Sequence, residues 1–319
     1  MENTIKPFIS MINYLKLIHY RHLLLLAFMQ LIFRYGYLKL QNIPLALIDW
    51  QYILLVLSTV CLAAGGAIIN AIFQQDSDVE NQPEFQVVGK YVSENTAYNL
   101  YAAFTFTGVL IGFYLSNVIQ KPNFAILFIL IASTLYFYAS SMKNSILVGN
   151  IIIAFVSSIY VLIIGLFDLL PVTFDVNQTV MGINFSILID YAIFTFIITL
   201  LQEMVSDIKN IEGDKSQGLS TSAIAFGINK AKKVVFILSL IHIFLVIYYL
   251  KVYLFDANLL YSLIYGIIFT LIPLIYFAIK LVKANETIEF RHLNVILKWI
   301  LFFTYLSIVV INLNIRYNA

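Results

Sequence analysis

The chain has 319 residues, 61% apolar and only 11% charged, less than half the roughly 25% charged residues of a soluble globular protein. Together with a mean hydropathy of +0.90, this excludes disorder, collagen, coiled coil and a disulfide scaffold, while the lone Cys61 excludes a Cys-based metal site. A net charge of +2 gives no reason to expect nucleic acid as a partner, and long apolar runs without alternation disfavour a β-barrel. An all-α polytopic membrane protein remains.

Crossing the hydrocarbon core takes roughly 20 mostly apolar residues. Nine segments qualify and are predicted as spans at 14–34, 50–73, 96–119, 123–141, 145–167, 185–206, 233–254, 259–282 and 293–314. The opening MENTIKPFIS lacks the order of a cleaved signal, so the first span is expected to act as an uncleaved insertion signal. With no soluble insertion and no internal repeat, residues 1–319 are expected to form a single integral membrane domain. Gln74–Glu94 and Asp207–Lys232 are long polar connections, and Lys283–His292 is a moderately polar one. With the N-terminus in the cytoplasm, 14 Lys and Arg fall on or near the inside, against Arg34, Lys39, Lys121, Lys251 and Arg316 outside. This positive-inside bias places all three connections on the cytoplasmic face, and the expected location is a bacterial inner (plasma) membrane.

The acids are clustered. Nine of the 17 Asp and Glu lie in two windows, one after the second span (Asp76, Asp78, Glu80, Glu84, Glu94) and one at the end of the sixth (Glu203, Asp207, Glu212, Asp214). Asn70, Gln74 and Asp78 recur every four residues, which predicts one helical face running out of the membrane. Glu203, Asp207, Asn210 and Asp214 are expected to do the same. A carboxylate at a helix C-terminus opposes the macrodipole and costs more when partly in the bilayer, so two such rows need a compensating partner. Their carboxylate and amide oxygens suit a hard cation such as Mg2+, which is commonly shared with phosphate groups and water. Lysines stand nearby. Lys90 follows Gly89, and Lys143 is alone in the tight turn Ser140–Asn144. Lys232 and Lys233 follow the second acidic row, where they read first as inside-positive markers. Lys143 is expected to point between helix ends, where a compact ammonium binds phosphate.

These stretches resemble the motifs of the UbiA-type polyprenyl transferases. In GGAIINAIFQQDSDVENQPEFQVVGK, Asn70, Phe73, Asp78, Asn81, Pro83, Gly89 and Lys90 match the first motif. In QEMVSDIKNIEGDKSQGLSTSAIAFG, Glu203, Asp207, Gly213, Asp214, Gly218, Thr221 and Gly227 match the second. YFYASSMKNSILVGN is similar to the family's turn between spans four and five, with Lys143 as its lysine. Motif aspartates are replaced by Ala71, Gln74 and Asn210, and basic positions by Gln82, Gln202 and Ser206.

The resemblance implies a nine-helix bundle with a central cavity open to the cytoplasmic face, and transfer of a prenyl group from a prenyl diphosphate to an acceptor, either an aromatic or quinone precursor or glycerol phosphate. It assigns Mg2+ to Asn70, Asp78, Asp207, Asn210 and Asp214, the substrate to Asn70, Lys90, Lys143, Asn210 and Asp214, and catalysis to Asp78, Asp207 and Lys143. Phe73, Tyr136, Phe137 and Tyr138 are then candidates to face an allylic cation, against the plainer expectation of helix packing. His19 and His22 are expected at the interface and His242 as a hydrogen-bonded packing residue. The replaced aspartates motivate a second reading, an impaired member that binds prenyl lipid or a protein partner. A third, an ion-coupled transporter, is opposed by the acids lying at one face and not at mid-membrane.

Overall fold

The computed structural model describes residues 11–75, 86–216 and 218–318. Among the described residues, nine helical segments are long and apolar enough to cross a membrane. We name them α1 (Tyr20–Gly36), α2 (Asp49–Phe73), α3 (Glu94–Val118), α4 (Ala125–Ser140), α5 (Val148–Asp168), α6 (Gln178–Lys209), α7 (Ile228–Tyr249), α8 (Leu260–Lys283) and α9 (Thr287–Asn318).

All nine expected spans are present, with two instructive differences. The first is interrupted: residues 11–17 form a separate helical turn, and His19 adopts φ 51° before α1 begins at Tyr20. The sixth is 32 residues long, with 22 expected, because its polar ends continue the helix. At 1.5 Å per residue α6 measures roughly 48 Å, well beyond a hydrocarbon core of about 30 Å. Hydropathy finds the apolar middle of such a helix and misses polar turns whose backbone bonds are still helical.

Contacts divide the chain into two compact units: Met1–Phe28, Ala46–Ile152 and Glu212–Ser220 form the first, and Met29–Leu45, Ile153–Ile211 and Thr221–Ala319 the second. In the first, α2 and α3 approach closely through small residues. Ser58 Oγ donates to Gly108 O at 2.7 Å, and a Cβ at Gly112 would lie 2.3 Å from the Phe128 ring of α4. Lipid supplies no hydrophobic force between helices, so packing of this closeness is what holds them. Beneath the C-terminal end of α2, Ile68, Ile69, Ile72, Val87, Val88, Val92, Ala97 and Ala139 form one apolar cluster.

In the second unit, polar side chains join the helices, as the absence of water in a bilayer favours. Tyr191 OH and Ser307 Oγ lie 2.6 Å apart, joining α6 to α9, and Gln30 Nε2 donates to Tyr160 O at 3.1 Å. Arg34 of α1 forms an ion pair with Asp168 at the end of α5, both essentially buried. Arg34 is thus an internal structural charge, not the loop charge its place in the topology count suggested.

Two π-helical turns widen this unit, at Leu250–Phe255, extending α7, and at Ile267–Leu271, within α8. Pro273 explains the second: it has no N–H to offer Phe269 O, so the preceding turn re-registers.

Candidate active site

Three expected anchors, Asn70, Lys90 and Lys143, belong to the first unit, the first two flanked in sequence by members of the apolar cluster. Asn70 lies in the last turn of α2. Its Oδ1 accepts from Gln74 Nε2 at 2.5 Å, and its carbonyl accepts from the Gln74 N–H at 3.0 Å. Gln74 is thus the C-cap of α2, which ends at Phe73. Asp78, and with it Asp76, Asn81 and Pro83, lies outside the described residues. Ala71, where the motif has Asp, packs against the apolar cluster, an environment in which a carboxylate would be desolvated.

The second anchor is the Gly89–Lys90 turn. Val88 and Val92 pair as a one-residue bridge, Gly89 N–H donates to Val92 O at 2.9 Å, and Gly89 adopts φ +79°, which glycine tolerates without a Cβ clash. A Cβ there would also meet Gln75 Oε1 at 3.2 Å, so the turn returns to the end of α2. Lys90 is exposed on this turn, its Nζ 5.3 Å from the Tyr91 ring centre.

The third anchor is Lys143, half-buried in the 3-10 turn Met142–Asn144 between α4 and α5. Gly149 makes this turn possible. A Cβ at 149 would lie 3.0 Å from Met142 O, 3.1 Å from Lys143 Cα and 3.2 Å from the Tyr138 ring. Nearby rings from three helices pack edge to face or tilted: Phe73 against Tyr136 at 6.1 Å and Tyr101 against Tyr136 at 6.3 Å. Asp214 also belongs to this unit, 3% exposed on the short helix Ile211–Ser216.

In the second unit, Asp207 lies in the last turn of α6 and its Oδ2 accepts from Ser222 Oγ at 2.8 Å. Ser222 is 1% exposed and opens the short helix Ser222–Phe226, with Thr221 in extended conformation at its N-cap. Asn210 is the C-cap of α6, with φ −97° and ψ 8°. The helical row from Glu203 therefore breaks at Asn210, and Asp214 stands on a separate helix. A C-cap leaves helical dihedrals, and sequence spacing cannot register that. Gln202 Nε2, Asn210 Oδ1, Thr221 Oγ1 and Asn294 Oδ1 are buried without a hydrogen-bond partner among the described residues. Ser206 Oγ is 3.5 Å from Asn294 Nδ2.

Lys232 takes the structural role. Its Nζ donates to Ala284 O at 2.5 Å, capping the end of α8, and lies 3.4 Å from Asn285 Oδ1. Ser222 and Gly149 were missed in the sequence reading. The Thr-Ser pair ahead of an apolar AIAF run is a helix-start signal that could have located the first; Gly149 carries no local signal, because its constraint is set by a turn six residues earlier in the chain.

The donor set bears on a metal. Among the described residues no group of three or more His, Cys, Asp or Glu could hold one by itself. Within the second unit, the Asp207 carboxylate and the amide oxygen of Asn210, which has no hydrogen-bond partner among the described residues, are hard ligands, and Mg2+ characteristically takes one or two carboxylates and completes its shell with phosphate and water. The residues present fit that ion.

The family model for the UbiA prenyltransferase family matches residues 25–308. A digeranylgeranylglyceryl phosphate synthase of Sulfurisphaera tokodaii is 29% identical over 225 residues, 70% of this chain and 73% of that protein. The synthase of the same name from Sulfolobus acidocaldarius is 33% identical over 174 residues, 54% of this chain and just over half, 56%, of that protein. The fold is shared with a solved UbiA homolog from Archaeoglobus fulgidus bound to DMAPP and Mg2+, at TM-score 0.56 and 17% identity, covering 94% of this chain and 99% of that one. A solved digeranylgeranylglyceryl phosphate synthase gives TM-score 0.63 at 21% identity, covering 94% and 98%. Nine apolar spans, the two motif ends and a match over most of the length lead to one conclusion: the chain is an integral membrane protein that belongs to the UbiA prenyltransferase family.

Proposed function

We propose that the protein transfers a prenyl group from a prenyl diphosphate to a hydroxyl of a glycerol-phosphate lipid, at the cytoplasmic face of the membrane, with its N-terminus cytoplasmic and with Mg2+ as cofactor. The observation that carries the reading is the all-oxygen donor set at the end of α6, Asp207 with its Ser222 partner and Asn210 with an unpartnered amide oxygen, in a chain of this family. The relatives' name, digeranylgeranylglyceryl phosphate synthase, supports glycerol phosphate over an aromatic or quinone acceptor.

Asn70, Asp78, Asp207, Asn210 and Asp214 would hold the metal, whose chemistry is to neutralise the charge of the leaving diphosphate. Lys90 and Lys143 add positive charge to the same group, a stabilisation that grows as the C1–O bond breaks. The acceptor oxygen bonds to C1, diphosphate departs with the electron pair of the broken bond, and the hydroxyl proton is released. Phe73, Tyr101 and Tyr136 offer ring faces to the allylic cation, each contact worth roughly 0.5–2 kcal/mol. The test uses purified protein in detergent with geranylgeranyl diphosphate. Binding is expected to require Mg2+ and to be lost in Asp207→Ala and Asp214→Ala; binding indifferent to EDTA and to both substitutions refutes the assignment.

One observation favours the second reading, an impaired member that retains lipid binding. Gln74 replaces a motif aspartate, and its amide occupies the Asn70 oxygen assigned to the metal. On that reading, Gln74→Asp with Ala71→Asp and Asn210→Asp creates turnover absent from the native chain; turnover by the native chain excludes it.

A further inference from the structure

Among α6, α7, α8 and α9 of the second unit lies a crevice of about 40 Å3, apart from every residue assigned above. A cavity needs about 10–15 Å3 on this measure to hold one water, so there is room for more than one water-sized group. Its wall is mainly apolar, with Tyr191, His242, Tyr249, Ser262, Thr270, Thr304 and Ser307 as the members that carry a polar side-chain atom. It contains no Asp, Glu, Lys or Arg.

Most of these polar groups are engaged within the protein. Tyr191 OH pairs with Ser307 Oγ, Thr304 Oγ1 donates to Ile300 O at 2.8 Å, and Ser262 Oγ lies 3.1 Å from Asn314 Oδ1. His242 differs. It is 1% exposed in the middle of α7, its ring set edge-on to Phe194 at 5.6 Å, and its Nδ1 is buried with no hydrogen-bond partner among the described residues. An unpaired buried polar atom is costly, and within a bilayer no bulk solvent relieves it.

The backbone supplies a second, independent observation. Both π-helical turns border the crevice: Leu250 and Leu254 come from one, and Thr270 from the other. Pro273 accounts for the turn in α8, but the sequence LKVYLF of the other contains no Pro or Gly that would force it. π turns are rare inside helices and recur where a helix has been re-aimed around a functional site.

We infer that this crevice is a binding site for a hydroxyl group, held by His242 Nδ1 inside the membrane-spanning part of the second unit. A hydroxyl suits either tautomer, donating to a bare Nδ1 or accepting from a protonated one. Its neutrality matches a wall without charges, where an ion would go uncompensated. The hydroxyl belongs either to water or to an alcohol-bearing lipid.

The experiment uses the full chain in detergent micelles, 15N-labelled at its four histidines. The His242 Nδ1 resonance is assigned by its loss in His242→Gln, or, if that variant does not fold, by its survival in the triple variant His19→Gln, His22→Gln, His292→Gln. Transfer from H2O to D2O forms one arm; titration with geraniol, and with myrcene as a hydroxyl-free hydrocarbon of similar size, forms the other. Bound water gives a hydrogen-bonded Nδ1 shift, a deuterium isotope shift and no response to geraniol. A lipid hydroxyl gives a shift that moves with geraniol and not with myrcene. An Nδ1 at the position of a non-hydrogen-bonded imidazole, indifferent to D2O and geraniol, overturns the inference, as does an equal response to geraniol and myrcene.

Discussion

Replacing Ser222 by Ala tests whether Asp207 works as an oriented ligand. Ser222 Oγ donates to Asp207 Oδ2 at 2.8 Å from a position 1% exposed, so water cannot easily replace it. A hydrogen bond to a charged group contributes roughly 1.5–3 kcal/mol. Outer-sphere partners of metal ligands typically carry 10–100-fold in affinity, the same range expressed as binding. Ser222→Ala should therefore raise the Mg2+ concentration needed for half-maximal geranylgeranyl diphosphate binding by about 10–100-fold. The change removes one oxygen from the start of a five-residue helix and leaves the apolar packing of Ala223 intact, so the fold should persist. Mg2+ titrations by calorimetry in detergent, with circular dichroism as the folding control, give the midpoint. A double-mutant cycle with Asp207→Asn isolates the coupling: once the carboxylate is gone, the serine should matter little. A wild-type midpoint in Ser222→Ala, alongside complete loss in Asp207→Asn, would falsify the orienting role while keeping the carboxylate.

Two other perturbations probe the supports. Gly149→Val should push the Met142–Asn144 turn away from its backbone contacts at 3.0 and 3.1 Å, costing about 1–3 kcal/mol of stability and weakening diphosphate affinity through Lys143. Gly182→Val, where a Cβ meets nothing within 4 Å, is the control, and equal thermal and binding data for the two variants contradict the argument. Arg34→Met should destabilise by roughly 3–5 kcal/mol by stranding the buried Asp168 carboxylate, whereas Arg34→Met with Asp168→Leu should recover most of that loss. Thermal unfolding in detergent measures both, and additive effects of the two substitutions refute a coupled pair.

The nine spans were readable in the chain because crossing lipid is a demand on composition: each needs some twenty apolar residues, and a 319-residue sequence either supplies them or does not. The motif stretches stand out in the sequence because oxygen-bearing side chains and lysines collect where two spans run out. Tertiary structure decided what local spacing cannot express. Gln74 and Asn210 lie on a perfect helical period in the sequence, yet both are caps at which helical dihedrals end. Arg34 counted as an outside charge in the sequence, and only packing shows it buried with Asp168, 134 residues away. Ser222 reaches Asp207 across 15 residues, and His242 acquires its crevice from four helices. Periodicity reports which face a residue occupies on its own helix; what that face meets is set by contacts between segments distant in the chain, and those contacts settle which charge is paired, which oxygen is taken and which nitrogen is left for a ligand.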